Sequence, residues 1–351
     1  MSAGQFIFAG IPGPDLDART AALLAEARPG GVVLFGRNLD TAARLVELVA
    51  GLRALLPGVV LAVDAEGGRV DRFKELLGPA PAASLLARRP PAQSRLAGWW
   101  TALGMRLFDL DVDFAPVVDL NLGEANNALA GRYLGARPPA VTVRAGAFLR
   151  GLHSGGVGGC VKHFPGLGGA AEDTHFSTSV VRLSVAELAP HLKPYGSLLP
   201  LAGAVMIAHA VYPALDPGLR PASLSEAVTG GLLRGRMRFG GLALSDDLEM
   251  SALAEWGDLP QRSESAFAAG CDGLLVCETL AALPEIAARL AHRRHAERRA
   301  EAAHRLGAYR QRLQTLRWIG RTAREAAAVP FDVRLETVRA GRAQMLSDLQ
   351  A

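Results

Sequence analysis

The sequence predicts a (β/α)8 TIM-type barrel with a C-terminal helical extension. Eight short apolar runs alternate with helix-like segments along the 351 residues. Several of these runs lack polar alternation, as expected for parallel strands that are buried on both faces. No linker-like stretch divides the chain, so we expect one domain over residues 1–351, with the barrel over about 1–280 and helical closure and extension over about 281–351. A doubly wound open sheet is the alternative.

The predicted strands are runs rich in Val, Ile, Leu and Phe. In chain order they are "QFIFAG" (5–10), "GGVVLFG" (30–36), "VVLAVD" (59–64), "DVDFAPVVD" (111–119), "GGCVKHF" (158–164), "GAVMIAHA" (203–210), "GLALSDD" (241–247) and "GLLVC" (273–277). Amphipathic stretches between them, such as 41–56 and 139–156, predict helices, and glycines lie near the ends of many such stretches. After residue 280 the chain reads as mainly helical.

Composition excludes several classes of protein. Half of the residues are hydrophobic and 21% are charged, which is typical of a globular protein. The net charge is only +4, and 35 of the 38 basic residues are arginine. In the Arg-rich stretch 289–313, acids and alanines interleave with the arginines and aromatics are nearly absent. This pattern predicts a solvated helix face and no nucleic-acid partner.

The sequence also gives an expectation for the cellular compartment in which the protein resides. The N-terminus has no basic stretch followed by an apolar run, and no run approaches the roughly 18 apolar residues that a membrane span needs. Cys160, Cys271 and Cys277 are odd in number and lack metal spacing, which favours a reducing compartment. We therefore expect a cytoplasmic protein without membrane association; the sequence does not specify an oligomeric state, and we expect a monomer.

In a barrel of this type, chemistry gathers where the strands end. Polar residues of both charge signs occupy these ends, which favours a site for a polar, hydroxylated ligand. They are Asp64, Asp119, Lys162, His163, His209 and Asp246.

The loop "VKHFPGLGGAAEDTHF" (161–176) allows three interpretations. Its "GLGGAA" (166–171) matches a dinucleotide fingerprint, but no helix-forming sequence follows as that motif requires. His163, Asp173 and His175 are suitable ligand types for a metal, but their spacing matches no known zinc site. The third interpretation is acid–base catalysis, in which Asp173 orients His175 as a proton shuttle. We expect neither a metal nor a cofactor.

The segment "LSDDLEM" (244–250) supplies a partner for that histidine. One of its two adjacent carboxylates can cap the following segment through backbone N–H groups. The other can act as a nucleophile. A carboxylate nucleophile with a separate proton shuttle is the logic of retaining glycoside hydrolysis.

Several segments together resemble glycoside hydrolase family 3, and specifically its single-domain exo-β-N-acetylglucosaminidases of bacterial cell-wall recycling. They follow the family's order over most of the chain. They are "VDAEGGRVDRF" (63–73), "DFAPVVDLN" (113–121), "GRYLG" (131–135), "KHFPGLG" (162–168), "EDTH" (172–175), "AHAVYPALD" (208–216), "PASLS" (221–225), "FGGLALSDDLEM" (239–250) and "AAGCDGLLVC" (268–277).

The resemblance implies a role for each site residue. Asp246 is the nucleophile, and His175 is the general acid/base, oriented by Asp173. The residues that it implies for binding sugar hydroxyls are Asp64, Arg72, Arg132, Lys162 and His163. The implied substrate is terminal β-linked N-acetylglucosamine on muropeptides or on disaccharides that end in 1,6-anhydro-N-acetylmuramic acid.

Alternatives remain open. A β-N-acetylglucosaminide phosphorylase is one, because a histidine tolerates an incoming phosphate better than a carboxylate does. A catalytically degenerate sugar-binding barrel is another; its motivation is that Leu167 and Arg137 depart from the family pattern, as does Ala65. A β-glucosidase is disfavoured, because those relatives usually carry a second domain that supplies the acid.

Overall fold

The apolar runs form a parallel sheet that curls into a nearly closed barrel. The computed structural model describes residues 2–123, 129–169, 179–322 and 329–351. The barrel strands are β1 (Ile7–Gly10), β2 (Gly31–Leu34), β3 (Val60–Val63), β6 (Val112–Asp113), β7 (Gly158–Gly159), β8 (Val161–Phe164), β9 (Ala204–Ile207), β10 (Leu242–Asp247) and β11 (Gly273–Val276). A separate antiparallel hairpin consists of β4 (Ala65–Gly67) and β5 (Val70–Asp71). All eight predicted strands are confirmed.

The strand order shows how the barrel closes. The sheet runs β7-β6-β3-β2-β1-β11-β10-β9-β8, and every pairing within it is parallel. The two edge strands, β7 and β8, are the two halves of the single predicted strand 158–164, which is interrupted at Cys160. That segment therefore pairs with β6 at its start and with β9 at its end, so eight strand positions complete the ring.

Helices surround the sheet. They are α1 (Ala18–Ala27), α2 (Ala42–Leu55), α3 (Lys74–Leu77), α4 (Ala83–Leu86), α5 (Pro91–Leu107), α6 (Pro138–Ser154), α7 (Val185–Ala202), α8 (Leu259–Ala269), α9 (Leu283–Ala291), α10 (Ala296–Thr322) and α11 (Phe331–Gln350). A π-helix spans Ala227–Arg236. The helices predicted over 41–56 and 139–156 are α2 and α6, and the helical character after residue 280 is confirmed by α9, α10 and α11.

Local sequence explains several of these helix starts. The side chain of Asp17 accepts a hydrogen bond from the backbone of α1, and Asp258 does the same for α8. At α7, Ser184 and Glu187 form a reciprocal capping box. Such caps pair backbone N–H groups that the first helical turn leaves without partners.

The barrel interior is a packed core. Its buried side chains come from every barrel strand except β7 and β8, and Cys160 contributes from between those two strands. Helix α10 adds Leu306, Tyr309 and Leu313 at the end where the strands begin. These three side chains close that end of the barrel. We call this layer the barrel floor.

The prediction of a solvated face for the Arg-rich stretch 289–313 is wrong for several of its arginines. Arg298 and Arg305 donate to the fully buried carboxylate of Asp272, at 2.8 and 3.1 Å. Arg310 donates to the carbonyl of the residue that precedes β2. The strands of a parallel barrel begin with unpaired backbone groups, and inward-pointing guanidinium groups satisfy some of them.

Among the described residues, no helix combines the length and the apolar character that crossing a bilayer requires.

Candidate active site

A cavity of about 460 Å³ opens at the ends of the strands, opposite the barrel floor. Six of the eight predicted site residues line it: Asp64, Arg72, Arg132, Lys162, His163 and Asp246. The other two, Asp173 and His175, lie outside the described residues, so their roles stay predictions. The volume falls within the range of about 300–1,000 Å³ that is usual for small-molecule sites.

One wall of the cavity is a buried ion-pair network around Lys162. The lysine, on β8, donates to Asp64 at 2.5 Å and lies 2.7 Å from Glu66. Burial favours the neutral amine, but the two carboxylates outweigh burial and hold the pKa of Lys162 above its usual value. Burial acts to raise the pKa of Glu66, but the positive charges of Lys162 and Arg132 outweigh burial and hold this pKa well below the usual range. Lys162 and Glu66 are therefore charged at neutral pH.

The network continues through Arg132 to His163. Arg132 binds Glu66 with two parallel hydrogen bonds of 2.8 and 2.7 Å. The Nδ1 of His163 lies 2.8 Å from an oxygen of the fully buried Asp119, and its Nε2 lies 3.4 Å from the Arg132 guanidinium. Because Asp119 also accepts from the backbone N–H of Leu167 at 2.7 Å, it fixes both the imidazole and the start of the following loop.

Asp246 faces this network from β10, across the cavity. Its Oδ1 accepts a hydrogen bond of 2.9 Å from the backbone N–H of Asp247. Burial acts to raise the pKa of Asp246, but His209, His163, that N–H and Lys162 outweigh burial and hold the pKa below its usual value. Asp246 is therefore an ionised carboxylate in a site largely shielded from water.

The neighbouring Asp247 has the opposite character. Burial raises its pKa to about 7, and the acidic neighbours Glu249 and Asp246 add to this effect. Its Oδ1 accepts from the backbone N–H of Glu249 at 3.1 Å, so its side chain turns toward the following segment. The two adjacent carboxyls of "SDD" are thus separated into one ionised group and one that keeps its proton up to near-neutral pH.

We expect the Asp247→Asn variant to change how stability depends on pH. A carboxyl whose pKa rises from 3.8 to about 7 on folding stabilises the native state fully below pH 4, and that contribution is lost as the pH rises to 7. The amide cannot ionise, so the free energy of unfolding at pH 8 should increase by about 1–3 kcal/mol relative to wild type. Near pH 4 the two proteins should differ little.

Urea unfolding of both proteins from pH 4 to 8 measures this effect. The control is Asp258→Asn, because Asp258 is an exposed helix cap and asparagine caps equally well. A difference between Asp247→Asn and wild type that stays constant across the pH range would contradict a raised pKa.

The hairpin β4–β5 carries further cavity residues. Glu66 lies on β4, and Arg69 and Arg72 lie on the turn and just after β5. Gly67 has a φ of +91°, and an added Cβ there would lie 2.2 Å from the carbonyl oxygen of Pro81. The glycine thus allows the hairpin to pack closely against the next segment. Arg72 lines the cavity, and its buried Nε has no acceptor among the described residues.

Two acids of the site, Asp119 and Glu66, have roles that the sequence did not predict. Asp119 was expected only as a strand end, and no function was expected for Glu66. A signal existed for Glu66, because it is the second acid of "DAEGG" and lies two residues after Asp64. Its partner Arg132 is distant in the sequence, and only the fold brings the two together.

One further strand-end residue, His209, lies behind the cavity wall. His209 is fully buried between the Ser223 hydroxyl, 2.7 Å from its Nδ1, and the carbonyl oxygen of Asp247, 2.8 Å from its Nε2. It thereby supports the segment that carries Asp246. Leu167, which departs from the family pattern, is 5% exposed and forms part of the cavity wall. Arg137, the other such position, is exposed at the start of α6.

Two of the three candidate metal ligands, Asp173 and His175, lie outside the described residues. Among the residues that the structure describes, no group of three or more His, Cys, Asp or Glu side chains is arranged to hold an ion. His163 is instead engaged by Asp119 and Arg132.

Comparison with known proteins gives a consistent result. Residues 5–306 match the model of the glycosyl hydrolase family 3 N terminal domain. A beta-hexosaminidase of Pseudomonas aeruginosa is 37% identical over 270 residues, which cover 76% of this chain and 80% of that protein. A beta-hexosaminidase of Alkalilimnicola ehrlichii is 38% identical over 290 residues, which cover 79% and 82%.

Solved structures agree. NagZ from Neisseria gonorrhoeae superposes with a TM-score of 0.79 at 29% identity, over 97% of both chains. A family 3 beta-N-acetylglucosaminidase from a Paenibacillus strain superposes with a TM-score of 0.85 at 27% identity, over 96% of this chain and 67% of that one.

Proposed function

Because this chain belongs to glycosyl hydrolase family 3 and is a glycoside hydrolase of the β-N-acetylhexosaminidase type, we propose that it is a retaining exo-β-N-acetylglucosaminidase. Its substrates are peptidoglycan fragments that end in β-linked N-acetylglucosamine, including disaccharides of 1,6-anhydro-N-acetylmuramic acid. The observation that carries the proposal is the position of Asp246, which faces the Lys162 network across one cavity.

Asp246 is the nucleophile. An ionised carboxylate in a site shielded from water can attack the anomeric carbon, and its lowered pKa keeps it ionised. The proton on Asp247 limits repulsion between the two adjacent carboxyls at near-neutral pH. The leaving oxygen takes its proton from His175, which Asp173 orients. Water that gives a proton to His175 then attacks the glycosyl-enzyme and frees the sugar with net retention.

The charged wall binds the sugar. Asp64 and Glu66 are acceptors for hydroxyl protons, while Lys162, Arg132 and the Nε of Arg72 are donors. Charge-assisted hydrogen bonds of this kind hold adjacent hydroxyls in defined directions. Because Glu66, Lys162 and Arg132 are already fixed by one another, little side-chain entropy remains to be lost when the sugar binds.

Action at a chain end is supported by the shape of the cavity. Its inner end meets the buried barrel interior at Phe114, Met206 and Leu275. A sugar ring that enters from the mouth therefore meets a closed apolar surface beyond the polar wall. Such a cavity accepts one terminal sugar and leaves the rest of the substrate at the mouth.

A product analysis tests the reaction class. We incubate the enzyme with N-acetylglucosaminyl-1,6-anhydro-N-acetylmuramic acid in inert buffer and in phosphate, and follow the first product by proton NMR. We expect free N-acetylglucosamine in both buffers, appearing first as the β anomer. A sugar 1-phosphate that forms only in phosphate would favour the phosphorylase, and an α anomer formed first would contradict retention. Tight sugar binding with no turnover would favour the degenerate barrel.

A further inference from the structure

A buried ion pair joins the last helix to the cavity hairpin. Arg342 on α11 donates through Nη2 to Oδ2 of Asp71 on β5. The two residues are only 2% and 3% exposed. Asp71 lies directly before the cavity residue Arg72, while α11 lies beyond the residues that match the family model.

The Asp71 carboxylate fixes the hairpin on two sides. Its Oδ1 accepts from the backbone N–H of Phe73 at 3.1 Å, and its Oδ2 accepts from that of Ala80 at 2.8 Å. The carbonyl of Ala80 in turn accepts from the N–H of Gly68 at 3.0 Å. One carboxylate thus joins the turn of the hairpin, the chain after β5 and α11.

The hairpin transmits any displacement to the cavity. It carries Glu66, which is the common partner of Arg132 and Lys162. The backbone N–H of Arg72 also donates to the carbonyl of Asp64 at 3.3 Å. Movement of Asp71 would therefore shift charged groups on both strands of the hairpin.

Helix α11 is a firm support for this contact. Leu335, Val338, Met345 and Leu349 are buried in the main core. An added Cβ at Gly341 would overlap the ring of Trp100, so the helix packs closely on α5. The helix is thus held by packing that does not depend on Arg342.

Loss of the arginine would leave a negative charge in a buried place. An unpaired buried carboxylate is strongly unfavourable, and the chain relieves this by moving the carboxylate toward water or by protonating it. Either response weakens the bonds that Asp71 makes to the hairpin and to Ala80.

We propose that Arg342 is a positioning residue for the sugar-binding wall: by neutralising Asp71, it holds the β4–β5 hairpin where Glu66 and Arg72 contact substrate. The inference rests on the proposed function, because it takes the cavity as the sugar site. It assigns a role in substrate binding to a helix remote from the strand ends.

The test compares Arg342→Met, Arg342→Lys and Arg339→Met with wild type. Arg339 is the matched control, since it lies on the same helix and donates to the carbonyl of Leu76 at 2.8 Å. For Arg342→Met we expect kcat/KM on p-nitrophenyl β-N-acetylglucosaminide to fall by roughly 10- to 100-fold. Most of the loss should be a rise in KM, with a parallel rise in the inhibition constant of free N-acetylglucosamine. Arg342→Lys should recover part of the loss, and Arg339→Met should stay within about twofold of wild type.

A double variant covers the case in which Arg342→Met does not fold. Asp71→Asn with Arg342→Met removes the unpaired charge and keeps the side-chain size. We expect it to fold with a Tm near that of wild type but with a raised KM, because the link to α11 is lost.

Two outcomes would overturn the positioning role. One is a wild-type KM in either folded variant, even if the Tm falls, because the pair would then only stabilise the fold. The other is an equal loss in Arg339→Met. An inactive wild-type enzyme would instead overturn the proposed function, so the two failures are distinguishable.

Discussion

The Asp246→Asn variant is expected to lose turnover by at least roughly 10⁴-fold, the scale at which loss of a nucleophile affects other hydrolases. Asparagine is nearly isosteric and still accepts from the backbone N–H of Asp247, so folding and sugar binding should persist. What is lost is the negative charge that forms the glycosyl-enzyme and stabilises the cationic transition state. The measurement is release of p-nitrophenol from its β-N-acetylglucosaminide, with Asp258→Asn as the control for an exposed carboxylate.

Covalent trapping separates the nucleophile from other roles of Asp246. A 5-fluoro-N-acetylglucosaminyl donor that forms the glycosyl-enzyme faster than it is hydrolysed should label the wild-type protein. Mass spectrometry should place the added mass on the peptide that contains Asp246, and the Asn variant should gain none. A label on any other residue, or near-normal activity in the Asn variant, would remove Asp246 from the proposed mechanism.

The second large effect concerns His175 and depends on the leaving group. An acid that protonates the leaving oxygen contributes typically 10²- to 10⁴-fold, and only where that oxygen needs a proton. We expect His175→Ala to lose about that much on the natural disaccharide, and much less in the glycosylation step with a 2,4-dinitrophenyl leaving group. Initial rates with both substrates measure the difference, and His304→Ala, an exposed histidine on α10, is the control. An equal loss on both substrates would contradict the acid role.

The fold was largely predictable because the barrel strands are apolar on both faces. Runs such as "GGVVLFG" and "GLLVC" are typical of parallel strands that are buried on both faces. The break at Cys160 was not predictable. Its N–H lies 3.0 Å from the carbonyl oxygens of both Asp113 and Ala115, which separates β7 from β8, and no residue type signals such a shared donor.

The site was predictable to the extent that its residues end strands or belong to recognisable segments. Lys162 and Asp246 satisfied both conditions, and they lie where expected. Glu66 belongs to a recognisable segment but does not end a predicted strand, and a glutamate in a Gly-rich turn ordinarily faces water. Only its ion pair with the distant Arg132 explains why it is buried. The inward arginines of α10 escaped notice for a related reason. A sequence in which Arg and Glu alternate does not show whether the guanidinium groups contact solvent or the carbonyl groups of the strands.

The residues of the barrel floor extend beyond the end of the family-model match, so these two boundaries differ in this chain. The match to the family model ends at residue 306, within α10, yet Tyr309 and Leu313 lie beyond it and are part of the barrel interior. A chain shortened at the limit of similarity would open the barrel from below and expose the apolar side chains around Phe8 and Leu242 to water. We therefore expect that a shortened chain must include the part of α10 that carries Tyr309 and Leu313 if its barrel is to stay closed.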